Sequence, residues 1–530
     1  MQKFASKAAP EGDKLRGGYY TPPSIGRFVA SWVLEAGSRI LEPSCGDGAI
    51  LEHLAEGGGD CIGVELFGDE ARRAREASGA IVVNDDFFSW FTDERRGTFD
   101  GVAGNPPYIR FGSWEHEARE RALSLMRMEG LKPSKLTNAW VPFVVASILA
   151  VRSGGRVGLV LPAELLQVGY ASQLRSYLVD SCSSITLVSF ERLVFPGILQ
   201  EVVLLLATRG VGPASINTVE VRDAAALETT SLKRSAVRAQ LHDSEKWTKY
   251  YLGPSAIKLV RRLRSDERMA PLSKYAAANV GVVTGRNAFF CLTDADAQER
   301  ELSQWTVPLL SRSAQLQGLS YTREDLLSNA DSSAKTHLLA VPQGLVVKEF
   351  SSLHEYIAVG EQDGVHTGYK CRIRKQWWVV PSISIPDGFM LRQVSSHLRI
   401  AANESGATST DTVHRVFTKP GVDIRNLSAA SFNSITFAMS EVIGRSYGGG
   451  ILEMEPSECG ELPVPDPSVV PAGLSAKVDQ LVRQKCYTEA LDLVDEVVLI
   501  NGLGLSVQDV RAMRVVWERL RDRRLARSKR

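Results

Sequence analysis

Short apolar runs alternate with longer amphipathic stretches along the first 210 residues. SRILEPS (38–44), CIGVEL (61–66), IVVNDDF (81–87), FDGVAGN (99–105) and RVGLVLP (156–162) each read as a buried strand that ends at a polar residue or a proline. Helical patterns lie between them, one beginning at Ala49 and one after residue 66, rich in Ala, Arg and Glu. SITLVSFE (184–191) and EVVLLLATRG (201–210) are separated by a short loop, which predicts an antiparallel pair at the edge. This alternation defines an α/β fold: a doubly wound, mostly parallel sheet with helices on both faces and an antiparallel edge strand. Ligands of such sheets gather at the carboxyl ends of the strands, where the polar residues fall.

The pattern changes after residue 210. Residues 211–244 are polar and irregular and read as a connector. From 245 to 470 strands and helices mix without alternation, which predicts a separate α+β unit, closed by the proline-rich stretch LPVPDPSVVPAG as a linker. Residues 471–530 are helical in pattern and finish in the basic tail RLRDRRLARSKR. The expected division is therefore 1–210, 211–244, 245–470 and 471–530.

Composition narrows the class. The 530 residues are 44% hydrophobic and 23% charged, as expected for globular domains with real cores. A net charge of +1 announces no nucleic-acid partner, although a basic face can be offset by acid elsewhere. Seven scattered cysteines form no C-x-x-C pair, which argues against a disulfide framework or a zinc site and suits a reducing cytoplasm. The N-terminal segment lacks the apolar core of a signal peptide, and no stretch approaches the roughly 20 apolar residues of a membrane span. A cytoplasmic protein without metal is expected.

Candidate chemistry sits at the strand ends. LEPSCGDG carries a glycine turn between strand and helix, and alone it is either a tight turn or a ligand cradle built on Gly46. Glu65 ends the next strand nineteen residues later, where a carboxylate can accept from both hydroxyls of a ribose. Asp86, ending the third strand, can accept from an exocyclic amine of adenine, with Phe87 packing nearby. The turn departs from G-x-G-x-x-G and offers no pyrophosphate cradle, so a nucleoside-type cofactor without phosphates is expected, with S-adenosylmethionine (SAM) the obvious choice. At the fourth strand end stands Asn105-Pro106-Pro107-Tyr108. The two prolines fix two φ angles, leaving the Asn105 side-chain carbonyl and the Pro106 main-chain carbonyl as rigid acceptors for an amine with two N–H bonds. Holding both hydrogens localises the nitrogen lone pair, and Tyr108 offers a flat surface for the attached ring.

Taken in order, these motifs resemble those of the TaqI-type, Eco57I-like (gamma-class) adenine-N6 DNA methyltransferases. The resemblance runs from GGYYTPPSIGRFVASWVL through LEPSCGDG, GVE, NDDF, NPPY and RVGLVLPAELL to LVFPGILQEVVLLL. It implies a Rossmann-like SAM-dependent domain in which Tyr20 and Thr21 cover the methionine end. Glu42, Glu65, Asp86 and Phe87 would hold the cofactor, with Cys45, Gly46, Asn105 and Pro107 completing its contacts. Asn105 and Pro106 would hold the amino group of a flipped adenine, with Tyr108 on its face and Phe195 on its other side or edge. The resemblance also implies a target-recognition domain in the second half, double-stranded DNA as partner, a cognate restriction endonuclease acting separately, and a monomer.

In that second half Lys370, Arg372 and Arg374 alternate, so in a strand they share one face beside Trp377 and Trp378, as DNA contacts or as a solvated basic strand over core tryptophans. Gly448 to Gly450 read either as a close approach to DNA or as a helix cap and turn, and His414 reads as structural. Asn-Pro-Pro-Tyr also serves RNA and protein-glutamine methyltransferases, which remain the alternative; their accessory domains usually precede the catalytic one. Too few residues precede the first motif for a fused nuclease domain.

Overall fold

The computed structural model describes residues 21–192, 194–195, 201–211, 214–229, 236–237, 246–447 and 449–526. The chain forms two compact units: Met1–Pro254 with Tyr447–Gly450 and Ala526–Arg530, and Ser255–Ser446 with Ile451–Leu525. Among the described residues no helix is long and apolar enough to cross a membrane.

The first unit is built on β1 (Arg39–Glu42), β2 (Asp60–Glu65), β3 (Ile81–Asn84), β4 (Phe99–Gly104), β5 (Val151–Pro162), β6 (Cys182–Phe190), β7 (Val202–Arg209), β8 (Ser215–Val221) and β9 (Ala236–Val237). Their order is β3-β2-β1-β4-β5-β7-β6-β8-β9. β3, β2, β1, β4 and β5 are parallel, and β7 runs against both β5 and β6. The antiparallel β6–β7 pair expected from sequence is present, but it is not the edge. The stretch after 210, whose polarity reads as a connector, supplies β8 parallel to β6 and then β9. Its pattern SINTVEV buries only Ile216 and Val221 fully, so a strand far from the sheet's centre carries the polarity of a loop.

Helices cover the sheet because their apolar positions demand it. The helix Pro23–Leu34 buries Ile25, Val29, Ala30 and Val33. It lies so close to the sheet that a Cβ on Gly101 would come within 2.2 Å of Val33, and one on Gly158 within 2.9 Å of Val29. The helix Trp140–Ala150, apolar on every side, is buried along its whole length. These contacts set the floor beneath the strand ends.

In the second unit a five-stranded sheet runs in the order Ala276–Asn279, Val413–Thr418, Gly388–Leu391, Ile400–Asn403, Ser320–Tyr321. The proline-rich stretch is no linker: Pro463–Pro465 is a buried strand paired with Met269–Pro271. Prolines fit there because a strand with one partner leaves half its N–H groups outside the ladder. The helices beyond 471 are built into this unit through buried ion pairs. Arg524 donates to both oxygens of Glu441 at 3.0 and 2.6 Å, and both side chains are almost fully buried. Arg514 reaches Asp495, which also accepts from the Ser434 amide at 2.9 Å. His414 is fully buried with its Nε2 bonded to the Met454 carbonyl, a structural role as expected.

The predicted strand of alternating cations is absent. Tyr369–Arg372 is a short helix: only Cys371 of its four residues is buried, which is the periodicity of a turn and not of a pleat. Arg374 turns inward, its Nη2 donating to the Val283 and Thr284 carbonyls at 3.0 and 2.8 Å. Trp377 is 9% exposed among Phe289, Phe290 and Trp378, its Nε1 donating to Glu361. These two hold the loop in place of facing a partner, while Lys370 and Arg372 stay on the surface. Gly448 lies outside the described residues; Gly449 and Gly450 have φ of 95° and 75°, a turn conformation.

Arg524→Met strands a buried carboxylate at Glu441, so a loss of about 3–5 kcal/mol is expected, most of it recovered when Glu441→Leu is added. Chemical denaturation of the single and double variants checks this; equal instability of both would show that packing, not charge, sets the cost.

Candidate active site

The first unit has a cleft of about 370 Å³ at the carboxyl ends of β1 to β4. Thr21, Glu42, Cys45, Gly46, Glu65, Asp86, Phe87, Asn105 and Pro107 all line it, so the structure brings together every described residue expected at a cofactor. Tyr20 lies outside the described residues. Pro106 is buried beneath the loop, and Tyr108 and Phe195 belong to an adjoining apolar cluster with Val160 and Phe190, off the cleft itself.

The turn after β1 is shaped by its hydrogen bonds. Cys45 N donates to the Val64 carbonyl at 3.1 Å, and Gly46 adopts φ 53°, a conformation that favours glycine. Glu65 then holds two loops at once: Oε2 accepts from the Gly46 amide and Oε1 from the Phe67 amide, each at 2.9 Å. Asp86 caps the helix Phe87–Trp90 through Oδ1, which accepts from Ser89 N at 3.0 Å and from Arg121 Nε at 3.2 Å. Phe87 stacks on Phe91 and Phe143 and is 4% exposed, so one edge at most meets a ligand. Asn105 Nδ2 donates to Thr21 Oγ1 at 3.2 Å, which orients the amide, and Tyr108 Oη donates to the Val160 carbonyl at 3.1 Å, which fixes the ring.

Electrostatically the cleft is acidic. Glu42, Asp47, Glu65, Glu70, Asp85, Asp86 and Glu115 line it, and no cationic side chain does among the described residues. Burial, with Asp47 and Glu65 adding repulsion, holds the Glu42 carboxyl well above the usual carboxylate range. Burial also raises Glu65, against the pull of the Phe67 and Gly46 amides. Burial and the two glutamates push the Cys45 thiol up, which makes it inert at neutral pH. Glu42 Oε2 is buried and has no hydrogen-bond partner among the described residues. An unpartnered carboxylate oxygen in an anionic cleft favours a cationic ligand and rejects phosphates. SAM, with its sulfonium and ammonium charges and its ribose and adenine, fits this donor set.

The sequence pattern does not reveal one wall. Ile109, Ser113, Trp114, Glu115 and Ala118 follow the Asn-Pro-Pro-Tyr loop and border the cleft with Phe88 and Phe143. The one signal for it is the pair Phe111 and Trp114 within an otherwise polar run leading into the helix His116–Met128.

The sheet and its cleft are those of a SAM-dependent methyltransferase. Two family models match the chain: Eco57I restriction-modification methylase over residues 52–195, and Type II methyltransferase M.Eco57I, C-terminal domain, over residues 244–499. The chain belongs to this Eco57I-type family of DNA methyltransferases. It is 22% identical to the Type II methyltransferase M.AccI of Acinetobacter calcoaceticus over 94% of both chains. It is also 22% identical to M.XamI of Xanthomonas campestris pv. amaranthicola over 85% of both. Among solved structures, the Type IIL restriction-modification enzyme MmeI in complex with DNA has a similar fold, with a TM-score of 0.53 at 11% identity over 94% of this chain and 75% of that one.

A raised carboxylate pKa costs the folded state once pH rises above the unfolded value of 4.5, and stability falls towards the folded value. Glu42→Gln is therefore expected to raise the melting temperature of the cofactor-free protein at about pH 8, with the gain shrinking towards about pH 5. The same change should weaken SAM about tenfold, by removing a carboxylate from a cation site. Thermal melts and calorimetry check both; lower stability with unchanged SAM affinity would assign Glu42 to packing alone.

Proposed function

We propose that this enzyme methylates N6 of an adenine flipped out of duplex DNA. The observation that carries the reading is the rigid Asn105-Pro106-Pro107-Tyr108 loop, leaving β4 at the edge of a cationic-ligand cleft with its asparagine oriented by Thr21. SAM supplies an electrophilic sulfonium methyl when bound. Glu65 binds the ribose hydroxyls with lone pairs that its two amide bonds leave over, and Asp86 accepts from the adenine amine of the cofactor. Glu42 faces the cationic end.

On the other side of the loop, the Asn105 side-chain carbonyl and the Pro106 main-chain carbonyl accept the two N–H bonds of the target amine. That geometry draws the nitrogen lone pair out of conjugation and aims it along the transfer axis, which is positioning and electrostatics with no general base. Tyr108 stacks on the base, and Phe195, in the same apolar cluster, packs its far side or edge. The proton leaves after transfer, when the nitrogen is cationic and acidic. Asn in place of Ser at the head of the motif favours adenine over cytosine. The base must leave the duplex because pairing engages its amino group.

The family and the similarity to Type II methyltransferases support DNA as substrate, and the DNA bound in the MmeI structure points the same way. The enzyme acts as a monomer in the cytoplasm and protects host DNA against a separate cognate endonuclease. Transfer to RNA or to protein glutamine is the rival reading.

Asn105→Ala is expected to lower kcat by about 10²-fold or more while leaving SAM affinity near wild type. Glu65→Ala is expected to do the reverse, raising the SAM dissociation constant first. Expression in a methylation-free host, followed by single-molecule sequencing, should show modified adenines in one recurring sequence context. Label from SAM entering RNA or a release factor but never duplex DNA would overturn the proposal.

A further inference from the structure

Two arginines join three loops of the second unit through main-chain carbonyls. Arg374 bonds Val283, Thr284 and Trp377, tying residues 280–288 to 369–377. Arg415, 8% exposed, donates to the Val280 carbonyl at 3.2 and 3.1 Å, and also to the Ser382 carbonyl and Ser384 Oγ at 2.8 and 2.9 Å. Lys335 Nζ adds the Asn287 and Ala288 carbonyls. The first two loops touch closely, since a Cβ on Gly285 would stand 2.9 Å from Lys370 Cβ. Ser382, in the third, is held at φ 60°, a conformation that costs a non-glycine residue energy and persists only where the surroundings enforce it. The loops are thus fixed from behind, mostly by bonds to main-chain oxygens, with Ser384 Oγ the side-chain acceptor among those of Arg374, Arg415 and Lys335.

What they carry outward is cationic. Arg286, Lys370 and Arg372 are exposed, and no carboxylate among the described residues pairs with any of them. Arg286 and Lys370 adjoin through the Gly285 contact, and Arg372 follows on the same short helix. Some exposed arginines of this unit have acidic partners, as Arg262 has in Asp509 and Arg425 in Glu404, while others such as Arg312 and Arg323 stand apart from this cluster in sequence. Tyr369 and Ile373 are 65% and 61% exposed beside the cations, and Lys370 Nζ lies 5.7 Å from the Tyr369 ring. Rigid loops that present unneutralised cations around an exposed aromatic match a polyanion with sugar surfaces between its charges.

We propose that this face docks the phosphodiester backbone of duplex DNA, with Arg286, Lys370 and Arg372 on phosphates and Tyr369 against a sugar. The proposal rests on the DNA methyltransferase reading and adds where the second unit takes hold. Phosphates and not base edges are the partners, because nothing among the described residues clamps these side chains into the fixed fork that base readout needs. Arg374 and Trp377 act behind the face as positioning residues.

The test is fluorescence anisotropy of the full-length protein with a labelled random-sequence duplex across a salt series. Arg286→Glu, Lys370→Glu and Arg372→Glu combined should weaken binding at least tenfold at low salt. The slope of log affinity against log salt should become shallower by about 0.9 for each phosphate that is no longer neutralised. SAM affinity and melting temperature should stay at wild-type values. The combined Gln variant, which removes charge without reversing it, should lie between, and serves if the reversed one misfolds. An unchanged slope in a folded variant overturns the proposal, as does weakening confined to the methylated sequence, which would make these residues base readers. Wild-type protein that binds SAM but neither binds nor methylates duplex DNA would instead bring down the underlying reading of function.

Discussion

Parallel strands have a direction, and everything at the active site depends on it. Because β3, β2, β1 and β4 run the same way, their carboxyl ends share one edge, and polar residues placed after each strand converge there. The order β3-β2-β1-β4 also grades their environments. Glu42 belongs to β1, flanked on both sides, and is 2% exposed; Glu65, one strand out, is 8% exposed; Asp86, beyond the edge strand, is only half-buried. The carboxyl shifts follow the same gradient, strongest at Glu42 and milder at Glu65. One topological fact thereby produces three acids of different character from three similar strand ends.

Charge is segregated in this molecule, which a net charge of +1 conceals. The cleft of the first unit gathers carboxylates and no cations among its described lining residues. The loops of the second unit leave cations such as Arg286, Lys370 and Arg372 without acidic partners among the described residues. Each concentration is unfavourable by itself, and a complementary ligand relieves each: a sulfonium and ammonium in one, a string of phosphates in the other. Buried ion pairs such as Arg524 with Glu441 serve the opposite purpose, tying the last helix into the core of the second unit.

Much of this is legible in the sequence, for a physical reason. Buried strands are short apolar runs, and a polar residue at the end of one has few places to go, so the pattern alone puts Glu65, Asp86 and Asn105 in one crevice. Glu42, inside the run LEP, carries no such signal and is reached only through family resemblance. β8 escapes the pattern because a strand near the end of the sheet and covered lightly keeps a polar composition. The cations at 370–374 mislead because alternation in four residues fits a pleat or a helical turn equally, and what decides between them is Cys371 packing under the Thr284 loop. Trp114 and Phe143 need the third dimension: their place at the cleft follows from where two helices begin and lie, which periodicity does not encode.

The clamps formed by Arg374 and Arg415 have a consequence beyond rigidity. Both grip chiefly main-chain oxygens, which every amino acid has, so apart from Ser384, Gly281, Thr284 and Gly285 the shape of the loops at 280–288 and 381–386 depends little on which side chains those loops display. Outward positions can be rewritten by mutation while the scaffold underneath keeps its form. Natural drift, or an engineer seeking new selectivity, could alter much of the face of this unit without solving its folding anew.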